Sequence, residues 1–321
     1  MAAKKPFVGI DLGGTNMQVG VVSPDLKVLS QAKKKTKADE GLDRVLDRIV
    51  DGIAEACAAA GITPSALGGI GIGAPGAVDP GKGVVLEAVN LRWTNEPVAQ
   101  LLSKRTRVPA YLDNDVNVAV YGENRLGAGK DSRFLLGVWV GTGIGAGLIL
   151  NGELYYGHFF TAGELGHTIA MPNNQPGGRS LEHNCSRTAV VDRLVRLIES
   201  NHPSSLSSMV DGDFERIKSK VVAKAYEEGD ELTVEVVDDA ASFLGIAISN
   251  VVTLLSIGKV VLGGGLTEAI GDAFVQKVAE SCRRFAFPDV CKKVEIVASR
   301  LRDDAGVIGA GLIAMERLKK K

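Results

Sequence analysis

The feature that most constrains the fold of this chain is a layout that occurs twice, in which two short apolar strands flank a glycine-rich turn. The first copy covers residues 6–22 around Gly13-Gly14-Thr15, and the second covers residues 134–150 around Gly141-Thr142-Gly143. Apolar runs on both sides of a short glycine turn are typical of paired strands. The copies share layout rather than residue identity, which predicts two similar α/β domains that face a cleft.

Helices and strands predicted around these copies follow an α/β order. Apolar residues at helical spacing predict a helix over residues 41–60, which Gly61 and Pro64 end. The remaining predictions are strands at 67–72, 109–112, 259–262 and 294–297, helices at 116–125 and 306–318, and a mostly helical stretch over 189–256. The smaller predicted domain comprises residues 1–122 with the C-terminal helix 306–321, and the larger comprises residues 123–305.

Charge and composition exclude several classes of partner. The chain has 321 residues, 45% of them hydrophobic, and a net charge of −1. It can therefore bury a large core, and it lacks the basic surface that nucleic acids or anionic membranes attract. We expect small-molecule partners, with no nucleic acid and no membrane.

Cysteine usage and the N-terminal residues indicate a cytoplasmic protein. None of the four cysteines lies in a C-x-x-C pair, which suits a reducing compartment. Residues 1–6 are too short and too polar for a signal peptide. Residues 240–258 lack charge, but their serine, threonine and asparagine side chains favour a buried core helix over a membrane span.

Three glycine-rich turns are candidate phosphate sites. Glycine lets backbone N–H groups approach phosphate oxygens closely, and Thr15 adds a hydroxyl donor. Asp11 directly precedes the first turn and could orient Mg²⁺ through water. A plain hairpin is the alternative, but a hairpin needs no acidic residue there. The third turn, Gly263-Gly264-Gly265, joins a predicted strand to a helix and could equally be a compact connection.

Polar residues also cluster where a predicted strand ends. Asp113-Asn114-Asp115 follows one strand and precedes a helix. Asp115 alone could cap that helix, but three adjacent polar residues exceed what a cap requires. Open α/β sheets bind ligands at this edge. Glu164 and His167 form a second polar pair in a glycine-rich stretch, and the other three histidines are interpreted as surface or packing residues.

These motifs, in this order, resemble the ROK family of sugar kinases and sugar-responsive repressors. The resemblance extends from about Phe7 to Leu312 and rests on six stretches: VGIDLGGTNMQVGVV, GIGAPGAVDPGKGVV, NLRW, DNDVNVAVYGENRLGAGK, GTGIGAGLILNGELYYG and VVLGGGL. It implies two actin-like, ribonuclease H-like α/β domains around a cleft, and a homo-oligomer, either a dimer or a tetramer.

The resemblance also implies a reaction and a set of site residues. The reaction is ATP-dependent phosphorylation of a hexose, with glucose as the first choice and Asp115 as the general base. Sugar hydroxyls would be held by Asn114, Glu164, His167 and Glu182. ATP and Mg²⁺ would be held by the residues of the glycine turns: Asp11, Gly13, Gly14, Thr15, Gly141, Thr142, Gly143, Gly263, Gly264 and Gly265.

One departure concerns a structural zinc site. In the family, His167 is followed by a cysteine cluster, but here the three cysteine positions hold Asn173, Gln175 and Ser180, and Cys185 lies off the pattern. One histidine and one displaced cysteine cannot complete a tetrahedral zinc site. We therefore expect no zinc, and we expect hydrogen bonds from Asn173, Asn174 or Arg179 to order residues 172–179.

Two alternatives remain open. The chain could phosphorylate fructose, mannose, allose or N-acetylmannosamine, or use polyphosphate as donor. It could instead be a sugar-binding regulator without turnover, although Asp115 and both phosphate turns favour an enzyme. The family's repressors carry a helix-turn-helix domain, and only eight residues precede Gly9 here, so we expect no DNA-binding module.

Overall fold

The computed structural model of this protein describes residues 5–319, whose contacts separate into two α/β units. The first unit comprises the described residues up to Gly127, the segment Leu154–Ala162 and the described residues from Asp303 onward. The second comprises Ala128–Glu153 and Gly163–Arg302. The predicted bounds, 1–122 with 306–321 and 123–305, stay a prediction, and they differ from this division over residues 123–127, 154–162 and 303–305. Residues 1–4 and 320–321 of those predicted domains lie outside the described residues.

The strands and helices of residues 5–319 follow in chain order. The strands are β1 (Phe7–Leu12), β2 (Asn16–Val22), β3 (Val28–Lys35), β4 (Gly69–Ala74), β5 (Ala77–Asp79), β6 (Val84–Ala88), β7 (Trp93–Glu96), β8 (Ala110–Asn114), β9 (Phe134–Val140), β10 (Ile144–Leu150), β11 (Glu153–Leu154), β12 (Lys259–Gly263) and β13 (Glu295–Ala298). The helices are α1 (Leu42–Ala59), α2 (Val98–Thr106), α3 (Asp115–Leu126), α4 (Glu182–Cys185), α5 (Arg187–Glu199), α6 (Leu206–Met209), α7 (Ser219–Glu227), α8 (Glu231–Leu255), α9 (Gly265–Ile270), α10 (Asp272–Phe285) and α11 (Ala305–Lys319).

The two units have sheets of the same strand order. The first sheet runs β3-β2-β1-β4-β8 and the second runs β11-β10-β9-β12-β13. In each, an antiparallel pair around a glycine turn is followed by parallel strands: β1 with β4 and β8 in the first unit, β9 with β12 and β13 in the second. The repeated layout seen in the sequence therefore corresponds to a repeated topology.

Helix α11 packs directly on the first sheet through glycines. A Cβ atom on Gly9 of β1 would lie 1.8 Å from Val307 O, and one on Gly71 of β4 would lie 1.8 Å from Ala310 O. No side chain fits at either position without moving the helix. These two glycines hold the C-terminal helix against strands that lie far from it in sequence.

Helix α8 is the described helix that is long and apolar enough, by length and composition, to cross a membrane. Its most apolar window is 56% buried within the protein. Buried residues such as Val236, Leu244 and Ile248 belong to the core of the second unit. The interpretation of residues 240–258 as a buried core helix agrees with this placement.

One small sheet was not predicted. Strands β5, β6 and β7 form a three-stranded antiparallel sheet over residues 77–96 of the first unit. The strands have three to five residues each, which is too short for alternation to be recognised against the surrounding turns.

Candidate active site

Carboxylates of the first unit lie together at the carboxyl edge of its sheet. Parallel pairing places Asp11 of β1 opposite Gly73 of β4, and Gly73 opposite Asp113 of β8. The parallel strands therefore bring the first glycine turn and the Asp113-Asn114-Asp115 segment to the same edge, although about a hundred residues separate them in sequence.

The carboxyl group of Asp11 at this edge has a strongly raised pKa. Desolvation by the surrounding protein and, to a smaller extent, the charges of Asp115 and Asp303 together raise the pKa of Asp11 to about 7. Neighbouring carboxylates without a cation between them destabilise each other's charged forms. Such a set of oxygens suits a hard divalent cation.

The geometry fits Mg²⁺ that arrives with a nucleotide rather than a metal held by protein alone. Among residues 5–319, no group of three or more histidine, cysteine, aspartate and glutamate side chains is arranged to hold a metal ion. Mg²⁺ usually takes one or two carboxylates and completes its shell with water and substrate phosphates. Asp11, with Asp115 nearby, meets that requirement.

Helix α3 is capped by the neighbour of Asp115 and not by Asp115 itself. Asn114 is the N-cap of α3: its Oδ1 accepts from Asn117 N at 3.0 Å, and its Nδ2 donates to Gly76 O at 3.1 Å. Asp115 is the first residue of the helix, and its Oδ1 accepts from Val116 N at 2.8 Å. The sequence offered Asp115 as a possible cap, and the structure gives that role to Asn114. Whether Asn114 also contacts sugar stays a prediction.

The first glycine turn accepts two hydrogen bonds from a threonine that the sequence analysis missed. Thr36 Oγ1 donates to Gly13 O at 2.6 Å, and Thr36 N donates to Thr15 O at 2.9 Å. Thr15 itself is exposed, while the carbonyl oxygens of Gly13 and Thr15 accept hydrogen bonds from Thr36.

The second turn, at residues 141–143, has Glu182 beside it. Glu182 Oε2 accepts from Ile144 N at 2.8 Å, and a Cβ atom on Gly143 would lie 2.2 Å from the same oxygen. Glu182 was predicted to contact sugar, and the structure places it against the turn predicted to bind phosphate. A side chain at position 143 would displace Glu182, so it would disturb both predicted roles.

The third glycine turn lies next to the second. Strand β12 pairs in parallel with β9, so that Gly263 is opposite Trp139. Gly264 has φ +90°, and a Cβ atom there would lie 2.6 Å from Val140 N. Close packing of the two strand ends explains the glycine, and it brings both turns to one edge of the second sheet.

Glu164 and His167 lie on an exposed turn that is attached to β10. Ala146 N donates to Gly163 O at 3.0 Å, and Gly163 has φ +101° with a Cβ position 2.2 Å from Ala146 O. His167 Nε2 and Glu164 Oε2 are 3.8 Å apart, and both side chains are exposed. The three predicted sugar-binding residues of this unit, Glu164, His167 and Glu182, are thus all anchored to the start of β10.

The loop over residues 172–179 is ordered by hydrogen bonds from amide and guanidinium groups. Asn174 Nδ2 donates to Gly178 O at 3.0 Å, and Arg179 Nε donates to Asn174 O at 2.7 Å. Asn184, which the sequence analysis missed, donates from Nδ2 to Gly178 O at 2.9 Å and to Ser180 O at 2.7 Å. No sequence pattern marks Asn184, because it acts on the loop from the short helix α4.

The residues nearest the expected zinc ligands have other partners. Ser180 Oγ and His183 Nδ1 are hydrogen-bonded at 2.7 Å. Cys185 is fully buried in the core of the second unit, and burial raises the pKa of its thiol to about 12. The thiolate is the form that binds metal, so Cys185 is unsuited to replace the missing cysteines.

We expect the purified protein to carry no stoichiometric zinc. Neutral amides and hydroxyls bind zinc poorly compared with thiolates, and the loop has its own hydrogen bonds. Chelation followed by return of Mg²⁺ should change neither the melting temperature nor the activity. Elemental analysis after extensive dialysis is the measurement, and about one zinc per chain would contradict the expectation.

Comparisons with known proteins agree with this architecture. A glucokinase from Halalkalibacterium halodurans is 30% identical over 97% of this chain and 95% of its own length. A xylose repressor from Caldicellulosiruptor bescii is 29% identical over 94% of this chain and 76% of its own length. Among solved structures, a ROK family glucokinase from Streptomyces griseus, in complex with glucose and AMPPNP, matches with a TM-score of 0.85 at 28% identity, covering 97% of this chain and 99% of that one.

The predicted fold class is confirmed by these likenesses: the protein has the α/β fold of two actin-like, ribonuclease H-like domains. The sequence model of the ROK family matches residues 7–317, nearly the whole chain. The chain belongs to the ROK family.

Proposed function

We propose that this protein is an ATP-dependent hexose kinase of the cytoplasm and that glucose is its substrate. The observation that carries the proposal is the pair Asp11 and Asp115 at one sheet edge, close enough for the charge of Asp115 to raise the pKa of Asp11. A sugar-binding protein without turnover has no need of two mutually repelling carboxylates there. A phosphotransferase uses one as a base and the other to bind Mg²⁺.

The chemical step follows from those roles. The 6-hydroxyl of the sugar attacks the γ-phosphorus of ATP, the bond from that phosphorus to the bridging oxygen breaks, and ADP leaves. Asp115 accepts the hydroxyl proton. Mg²⁺, held at Asp11, would neutralise charge on the phosphates. The amides of the turns at residues 13–15 and 141–143 would orient the phosphates, since phosphoryl transfer depends mainly on positioning and electrostatics.

Sugar recognition is assigned to Asn114, Glu164, His167 and Glu182. The exposed pair Glu164 and His167 offers an acceptor and a donor within 3.8 Å of each other, which suits adjacent hydroxyl groups. Glu182 is tied by one oxygen to Ile144 N, and its second oxygen remains for the sugar. This arrangement links sugar contacts to the turn that we assign to ATP.

An assay of sugar-phosphate formation over a panel of sugars tests the proposal. The panel contains glucose, fructose, mannose, allose and N-acetylmannosamine, each with ATP and with polyphosphate as donor. We expect glucose with ATP to give the highest kcat/KM. A higher value for another pair would reassign the substrate and leave the kinase proposal intact.

A sugar-responsive regulator is the second candidate, because a xylose repressor matches most of this chain. A regulator would bind a sugar from the panel, detectable by calorimetry, and form no sugar phosphate with either donor. That result would reject the kinase proposal.

Glu164→Ala should raise the KM for glucose and leave the KM for ATP nearly unchanged. Removing one partner of a hydrogen bond that the bound sugar would bury costs ~1–3 kcal/mol, which corresponds to about 5- to 150-fold. Steady-state kinetics with each substrate varied in turn is the measurement. Glu153→Ala, at an exposed glutamate of the same unit, is the matched control. A rise in the ATP KM alone would assign Glu164 to the donor side.

A further inference from the structure

Asp113, two residues before Asp115, is a buried carboxylate that accepts hydrogen bonds from several parts of the first unit. Its side chain is 1% exposed. It accepts from Asn114 N at 2.9 Å, from Tyr156 Oη at 2.8 Å and from Arg317 Nη2 at 2.7 Å. The Asn117 side chain is a fourth donor. No role was assigned to Asp113 alone in the sequence, and neither Tyr156 nor Arg317 was singled out.

Arg317 binds two backbone carbonyl oxygens in addition to the carboxylate of Asp113. Its Nη1 donates to Leu112 O and to Pro80 O, each at 2.9 Å. One guanidinium group from helix α11 thus binds the backbone of β8, the carboxylate at the end of β8 and the turn between β5 and β6. Arginine suits this task because its donors lie in a rigid plane, whereas a lysine offers one flexible ammonium group.

Tyr156 reaches Asp113 from the segment Leu154–Ala162. This segment belongs to the first unit although the residues before and after it in the chain belong to the second. Burial and the charge of Asp113 raise the pKa of the Tyr156 phenol, so the hydroxyl stays protonated and donates. The segment also leads directly to Gly163 and Glu164.

Stability alone does not account for such a network. Burial raises the pKa of Asp113, and the charge of Arg317 and the hydrogen bonds oppose that rise. Taking two charges out of water costs free energy that their attraction often does not recover, and apolar residues of similar volume are frequently as stabilising. What the network supplies beyond stability is a fixed position for the backbone at residues 112–114, immediately before Asp115.

We propose that Asp113, held by Tyr156 and Arg317, is a positioning residue that sets the location of the Asp115 carboxylate. The inference rests on the proposed kinase function. Asp115 must meet a sugar hydroxyl within hydrogen-bond distance in the reactive complex, and displacement of a catalytic group by about 1 Å can cost ~10²-fold in rate. Tyr156 and Arg317 themselves touch neither substrate nor Mg²⁺ in this scheme.

Tyr156→Phe is the most conservative test, since it removes one hydroxyl group. We expect kcat to fall about tenfold, a fraction of what a full 1 Å misplacement costs, with the KM for ATP unchanged. Tyr155→Phe is the matched control: Tyr155 is the adjacent residue, is 47% exposed and should have wild-type kinetics. Equal kcat for both variants in folded protein would reject the inference.

Arg317→Lys should lower kcat in the same way, because the ammonium group cannot serve all three acceptors.

A double-mutant cycle separates positioning from general loosening of the fold. If Tyr156 acts through Asp115, Tyr156→Phe should lose its effect on kcat in an Asp115→Asn background. The same tenfold loss in both backgrounds would show that Tyr156 acts elsewhere and would overturn the inference. Failure of the proposed function looks different: the wild-type protein would then show no kinase turnover, or Asp115→Asn would retain it, whatever Tyr156→Phe does.

Discussion

Asp115→Asn is expected to lower kcat by ~10²–10⁴-fold, the usual contribution of a general base, while sugar binding is largely retained. The asparagine keeps the size of the side chain and an oxygen that can accept from Val116 N, but it cannot take the hydroxyl proton. Steady-state kinetics together with calorimetric titration of glucose separates the two effects.

Asp272→Asn is the control for this variant. Asp272 is the first residue of α10, as Asp115 is the first residue of α3. A carboxylate in the first turn stabilises a helix by ~0.3–1 kcal/mol, so both variants should lose a similar, small amount of stability. Only Asp115→Asn should lose activity. If Asp115→Asn kept more than about a tenth of the wild-type kcat, well short of a general-base contribution, Asp115 would be excluded as the base.

The repeated fold could be predicted from sequence because its signals are local. A glycine turn between two apolar strands spans fewer than twenty residues, and both copies of that pattern became sheets of the same order. The edge carrying Asp11 and Asp115 could also be anticipated, since parallel strands end at one edge and polar residues follow them directly. Short strands such as β5 carry too few residues for the same reasoning.

Contacts between distant residues could not be predicted in this way. Arg317 meets Asp113 across 204 positions and Tyr156 meets it across 43, and nothing in their neighbouring residues indicates a partner. Asn184 likewise binds a loop that precedes it, where the sequence indicated hydrogen bonds from residues of the loop itself and not from Asn184. Glu182 shows the same limit, because its hydrogen bond to Ile144 N depends on tertiary packing rather than on spacing.

In the second turn, a substitution at Gly141 tests phosphate binding more selectively than one at Gly143. At Gly143 a side chain would collide with Glu182, which we assign to the sugar, so both substrates would be affected. At Gly141, by contrast, an added Cβ atom meets no other atom within 4 Å. We propose that a phosphate approaches the backbone amides of the turn through the space beside Gly141.

Gly141→Val is therefore expected to fold normally, to bind glucose as the wild type does and to lose about 10²-fold in kcat/KM for ATP, the scale of loss for a misplaced reacting group. Gly258→Val is the matched control, since Gly258 lies in the same unit and an added Cβ atom there also meets nothing within 4 Å. Titrations of both variants with ATP and with glucose show whether Gly141→Val loses affinity for ATP alone. Normal ATP affinity in folded Gly141→Val would mean that residues 141–143 form a hairpin turn without a role in phosphate binding. Donor recognition would then have to come from the turns at residues 13–15 and 263–265 alone.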